Sequence, residues 1–143
     1  MSTFKYLGVD LNYDASWKRH AQRAEATGKR TSRALSPFFH KFPSLPVSFY
    51  LKIFDAAVAP SVLYGAEILG AGTQSDGINR AGNIFYRMLL GLPQSAPVSG
   101  LHLELGRLRL TEMASLRAIS YWLRISSVND SRLLHSAFKT QLP

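Results

Sequence analysis

The stretch 53–72, IFDAAVAPSVLYGAEILGAG, does most to limit what this chain can fold into. It is almost wholly apolar, yet Asp55, Pro60 and Glu67 interrupt it. A helix that spans a membrane needs about 20 consecutive apolar residues, so these interruptions argue against a span. In water, a helix that is apolar nearly all round has to be covered on every side. The sequence therefore predicts a central, buried helix from Pro46 to about Leu69, started by Ser44 as cap and Pro46 in the first turn. Pro60 lacks the donor for the bond to residue 56 and is expected to kink this helix. Ala57, Ser61 and Gly65 then form a strip of small residues along which a second helix could come close. Tyr64 is expected to bury its ring while satisfying its hydroxyl, and Glu67 to pair with Arg87 or Arg117. Pro60, Tyr64, Gly65 and Glu67 are thus read as structural residues.

The elements that would cover this helix follow from periodicity. FKYLGVDL, near the N-terminus, alternates loosely and predicts a short strand or hairpin arm. NYDAS follows as a turn, with Asp14 or Ser16 as helix cap. From Trp17 to about Leu35, Trp17, Ala21, Ala24, Gly28, Thr31 and Leu35 recur at helical steps and form a narrow stripe of mostly small residues. SPFFHKFPSLP, with three prolines and three phenylalanines, predicts a loop. A helix near 76–90 is expected to turn Ile84, Phe85, Met88 and Leu89 inward. The leucines of LHLELGRLRL (101–110) fit either a hairpin turning at Gly106-Arg107 or one face of a helix, and propensity favours the helix. A stronger helix, Thr111 to about Ser126, should face the core with Met113, Leu116, Ile119, Trp122 or Leu123, and Ile125. A short tail helix over 131–139 completes the reading. The fold class is mainly α, a helical bundle with a short N-terminal β-strand or hairpin.

The chain has 143 residues, 46% of them hydrophobic, enough for one core. It has no cysteine, which excludes disulfides, thiolate metal sites and cysteine nucleophiles. The N-terminus carries no apolar segment of signal-peptide length, so an intracellular protein, cytoplasmic or nuclear, is expected. The net charge is +8 and lies mainly at the front: residues 1–52 hold nine Lys/Arg against Asp10, Asp14 and Glu25. Lys18, Arg19, Arg23, Lys29, Arg30 and Arg33 all lie on the 17–35 helix. Such a helix could dock on a nucleic-acid backbone, where each neutralised phosphate adds salt-dependent affinity. Tyr6, Tyr13, Trp17 and the phenylalanines at 38, 39 and 42 could stack on bases, although core or loop-pinning roles are commoner. A metal-dependent polymerase or nuclease site needs clustered carboxylates; Asp10 and Asp14 are the only close pair, and Asp14 is better explained as a cap, so no metal site is expected. The histidines at 20, 40, 102 and 135 lack ligand spacing and read as surface or packing residues. No phosphate-cradling glycine loop or nucleophile elbow is present, so the residues point to a binding or structural domain without catalysis.

FKYLGVDL, SWKRHAQRAEATGKR, LPVSFYLKIFDAAVAPSVLYGAEILG, NIFYRMLLGLPQSAPVSGLHLELGRLRL and AISYWLRI follow one another in that order. Together they resemble the region after the catalytic motifs in reverse transcriptases of LINE-type (non-LTR) retrotransposons. The resemblance implies that Tyr6, Leu7 and Gly8 lie in a primer-grip strand and turn, with Gly8 leaving room for a primer end. It further implies a thumb-like helical bundle that clamps a template–primer duplex, RNA–DNA or DNA, through its backbone. Residues 1–15 would then be a residual palm strand, 16–75 thumb-like helices and 76–143 the helical region after the thumb. The family's catalytic aspartates lie upstream of the YLG segment, and no such acidic motif occurs here. The chain by itself is therefore expected to lack polymerase activity and to carry no cofactor, whereas a complete enzyme of the family uses Mg2+. A palm and fingers would be its protein partners. The alternative is a structural or protein-interaction module of the same ancestry that no longer meets nucleic acid.

Overall fold

The computed structural model describes residues 3–6, 8–12, 18–69 and 76–127. Strands β1 (Thr3–Tyr6) and β2 (Val9–Asn12) form an antiparallel hairpin in which Tyr6 faces Val9 across a two-residue connection. The rest is helical: α1 (Lys18–Ala34), α2 (Ser36–Lys41), α3 (Val47–Ile53), a π-helical segment (Phe54–Val58), α4 (Ala59–Val62), α5 (Ala66–Leu69), α6 (Asp76–Leu90), α7 (Val98–Leu105) and α8 (Leu110–Ser126). The protein is mainly α with a short N-terminal hairpin, as its patterning predicts. The predicted tail helix and the cap at Asp14 or Ser16 fall outside the described residues.

The expected central helix forms, but not as one rod. Its middle widens into the π-helical segment just before Pro60, where Ala59 N–H bonds Phe54 O in place of the usual i−4 carbonyl. Proline has no N–H to offer, and here it sits in the first turn of α4, where that loss is tolerated. Phe54 and Val58 of this segment are buried, and the extra residue per turn rotates the side chains after it so that Ala59, Val62 and Leu63 are buried too. The chain then leaves helical geometry at Leu63–Gly65, where Gly65 takes a left-handed φ of 78°. Two expectations are corrected here. Gly65 is a helix terminator and does not extend the Ala57–Ser61 strip, and Tyr64 is 54% exposed instead of buried.

Around this element the core collects Tyr50, Phe54, Val58, Val62 and Leu63 with Ile78, Ala81, Phe85 and Tyr86 of α6. Leu101 of α7 and Leu110 and Ala114 of α8 close it. Segment 36–41, expected as loop, is helical. Pro37 falls in the first turn of α2, and the helix is pinned by Phe39, which stacks on Tyr50 at 4.8 Å and meets Phe85 edge-on at 5.1 Å. The Tyr50 hydroxyl also donates to Phe42 O. Phe38 and Phe39 thus belong to the protein's own aromatic cluster, the commoner of the roles considered for them, while Phe42 touches Phe38 and stays 40% exposed.

The inner face of α6 is shifted from its expected position. Gly77, Ile78, Ala81, Gly82, Asn83, Phe85 and Tyr86 are buried, whereas Ile84, Met88 and Leu89 are only partly covered. The small residues explain the shift, because they let α1 and α8 approach closely. A Cβ on Gly82 would stand 3.2 Å from Leu110 Cδ1, and one on Gly28 of α1 would stand 2.8 Å from Ala81 Cβ. Segment 98–105 is helix, not hairpin, and stops at Gly106 with φ of 59°. The face expected to bury α8 is the largest miss. Leu110 and Ala114 are inside, while Leu116, Ile119, Trp122 and Leu123 are each more than half exposed.

Candidate nucleic-acid interface

Helix α1 owes its position to small side chains. His20, Ala21, Ala24, Gly28 and Ser32 form its buried face, so its axis can lie close to α4 and α6. Ser32 Oγ donates to Ala81 O of α6 at 3.0 Å, which fixes α1 along its length as well as across it. A helix held this way on one side must carry its long polar side chains on the other.

The six cations of α1 divide by what they meet. Arg23 donates through Nη1 to both carboxylate oxygens of Asp10, at 3.1 and 3.0 Å, tying the hairpin to the helix. Asp10 is buried and paired with Arg23, and Asp14 lies outside the described residues. Lys29 bonds Glu25 one turn away on α1, and Arg80 reaches the same carboxylate at 4.0 Å. Lys18, Arg19, Arg30 and Arg33 are exposed, and among the described residues Arg30 and Arg33 have no ion pair. Arg19 and Arg30 are eleven residues apart, close to three full turns, so they project from the same side of α1. Arg23 and Lys29 are thus matched by carboxylates, and the outward face, which exposes Lys18, Arg19, Arg30 and Arg33, is less positive than six cations suggest.

The hairpin turn meets this helix at a polar junction. His20, 5% exposed, lies between the hairpin and the non-helical turn after α4. Its Nδ1 is 3.5 Å from Asp10 N–H and its Nε2 is 3.0 Å from Tyr64 O. A neutral imidazole that accepts at Nδ1 and donates from Nε2 fits both contacts. Gly8, at φ 84°, lies beneath the Tyr64 ring, where a Cβ would come within 3.1 Å of Tyr64 Cε1. The bareness of Gly8 thus has an internal use, since it makes room for Tyr64. The side chain of Tyr6 and the whole of Leu7 lie outside the described residues. Gly8, His20 and Tyr64, with Thr27 and Pro60, line a small cleft of about 250 Å³.

Other polar contacts are invisible to sequence periodicity. Asn79 of α6 accepts from Thr111 N–H at 3.1 Å and so satisfies a donor in the first turn of α8. Glu112 adds a bond from Arg109 N–H at 2.9 Å. His102 bridges Arg107 O at 3.0 Å and the Asn83 side chain at 3.1 Å. Glu67 pairs with Arg117 at 3.6 Å, one of its two expected partners; both side chains are partly exposed, so the pair is a surface contact. Arg87, the other candidate, donates instead to Ala96 O at 2.9 Å.

Two larger clefts differ in charge. One, of about 470 Å³, is lined by Asp55, Arg107 and Arg117 together with Met113 and Leu108. Arg107 pairs with Asp55 and Arg117 with Glu67, so its cations are already matched. Burial alone would lower the Arg107 pKa, but the Asp55 carboxylate and, to a lesser extent, Tyr86 together more than offset this and raise it. The Tyr86 hydroxyl nearby is buried without a hydrogen bond of acceptable geometry. Its pKa is pushed up by that burial, and Arg107 counters the effect only in part. The second cleft, between the end of α1, α2 and the end of α6, holds arginines and no carboxylate.

Among the described residues no helix is long and apolar enough to cross a membrane. Compared with protein-family models, curated proteins and solved structures, the chain finds no match in any of the three.

Proposed function

We propose that the protein binds the backbone of a nucleic-acid duplex through the outward face of α1, as the thumb of a LINE-type reverse transcriptase would hold an RNA–DNA or DNA template–primer. The observation that carries this reading is the two-sidedness of α1: one face is locked against α4 and α6 by small side chains, and the other presents Arg19, Arg30 and Arg33 to solvent. Arginines on an exposed helix face suit phosphate contact, and nothing in their arrangement reads base edges. On this reading the protein positions a duplex and performs no chemistry alone. Catalysis would need the carboxylates and Mg2+ of a separate palm, and the primer-grip role of Tyr6, Leu7 and Gly8 belongs to the same proposal.

The test is the salt dependence of binding to a short RNA–DNA duplex, followed by fluorescence anisotropy. Affinity should fall steeply with salt, and the R19Q/R30Q double variant should flatten the log–log slope by about two, roughly one per lost phosphate contact. An absence of binding at low salt, or an unchanged slope in the double variant, defeats the reading.

One observation favours a second reading, a helical protein-interaction module without nucleic-acid contact. Leu116, Ile119 and Leu123 lie at three- and four-residue steps on the exposed side of α8, a narrow apolar stripe where a solvated helix would carry polar residues. A chain that ignores duplexes at low salt would point to this module.

A further inference from the structure

We infer that the cleft between the C-terminal ends of α1 and α6 and the helix α2 is a binding pocket for a nucleotide, with the phosphate held by Arg33 and Arg87. The cleft has a volume of about 500 Å³, within the range of small-ligand sites. Arg33, Arg87 and His40 line it, and Ser36 and Gln94 add neutral polar groups. No aspartate or glutamate is among its lining residues, in contrast to the cleft around Arg107, where a carboxylate answers each arginine. Two arginines sharing one concavity with no acid repel each other, and an anion between them removes the repulsion.

The state of Arg87 supports the same conclusion. Its Nη2 is used internally, donating to Ala96 O in the 91–97 loop, but its Nε is buried with no partner. The bond to Ala96 O holds the guanidinium at the wall of the cleft, where its charge faces no carboxylate among the lining residues. Across the cleft, Arg33 has no ion pair among the described residues. The other walls are apolar: Ile84, Met88 and Leu92, with Phe39 at the base of α2. Inorganic phosphate would leave these walls bare. A phosphate ester with a flat, weakly polar body would use both halves, and a nucleotide, free or at a strand end, has that chemistry. The site shares Arg33 with the outward face of α1 but does not use Arg19 or Arg30, so the R19Q/R30Q variant separates it from the duplex proposal.

The experiment is isothermal titration of the full chain with adenosine 5′-monophosphate, with adenosine and inorganic phosphate as separate titrants. Saturable one-to-one binding of the nucleotide, tighter than either control, is expected. Arg33→Gln, at an exposed position, should weaken it about tenfold or more, the effect of losing one charge-assisted contact. Arg87→Lys keeps the charge near Ala96 but removes the planar fork, and a loss of similar size is expected. The R19Q/R30Q variant should bind the nucleotide like the parent. Absence of saturable binding overturns the inference, as does phosphate binding equal to the nucleotide's. Affinity unchanged in both Arg33→Gln and Arg87→Lys, or lost in R19Q/R30Q, also overturns it.

Discussion

Gly28→Ala tests the packing on which the α1 face depends. Added at Gly28, a Cβ would stand 2.2 Å from Val62 Cγ2 and 2.8 Å from Ala81 Cβ. The valine methyl could swing aside, but Ala81 Cβ is attached directly to the α6 backbone and cannot. Ordinary carbon–carbon contacts lie at about 3.5–4.0 Å, so α1 and α6 would have to part by about 1 Å. That movement also stretches the Ser32–Ala81 bond, now 3.0 Å. Overpacking of this kind costs about 1–3 kcal/mol, and alanine returns about 1 kcal/mol of helix propensity. The bond between fixed elements puts the cost at the upper end, leaving a net loss of about 2 kcal/mol. For a chain of this size that lowers the melting temperature by roughly 4–8 °C. Gly100→Ala is the control: Gly100 is also helical, but its nearest neighbour would be Pro97 Cγ at 3.9 Å. It should gain about 0.5–1 kcal/mol. Both variants would be melted by far-ultraviolet circular dichroism. If Gly28→Ala melts at or above the parent, the close approach of α1 to α6 is wrong, and with it the argument that small residues orient the basic face.

Two further predictions concern polar groups elsewhere in the fold. Tyr86→Phe removes a buried hydroxyl that lacks a hydrogen bond of acceptable geometry, so stability near neutral pH should change by less than about 1 kcal/mol. Because burial raises the folded-state pKa of Tyr86 above the unfolded value of 10.0, the unfolded chain loses this proton first. The tyrosine's contribution is therefore complete below pH 10 and disappears as pH rises through the folded pKa. Denaturant melts across that alkaline range should show the parent losing stability relative to Tyr86→Phe, and parallel curves would contradict the burial. Asn79→Ala leaves the Thr111 N–H in the first turn of α8 without its side-chain acceptor. A loss of about 1 kcal/mol is expected, with faster amide exchange at Thr111 than in the middle of α8. Unchanged exchange there would show that Asn79 does not hold this end of the helix.

Much of the architecture is legible in the sequence because periodicity is a local property. The stripe Ala21–Ala24–Gly28 marks the buried face of α1, since only small residues recur there at helical spacing. Leucines without β-branching mark 98–105 as helix, and Gly106 marks its end. The concentration of cations on α1 is equally a property of the sequence, as is the need for a break near Pro60.

What the sequence could not decide was which neighbour each face would meet. The α8 stripe Leu116, Ile119 and Leu123 has the spacing of a core face, but α5 and α6 approach α8 from the side of Leu110 and Ala114. Periodicity gives the existence of an apolar face, and only the positions of other elements determine whether it is covered. The same limit hid α2, which owes its place to Tyr50 and Phe85, residues distant in sequence. It also hid the division of the six α1 cations, because Arg23 is spent on Asp10 of the hairpin, thirteen residues away. The sequence by itself determined a mainly helical chain with a basic helix and a broken apolar centre. The tertiary structure alone decided which of those charges remain for a partner, because pairing depends on distance in space and not on distance along the chain.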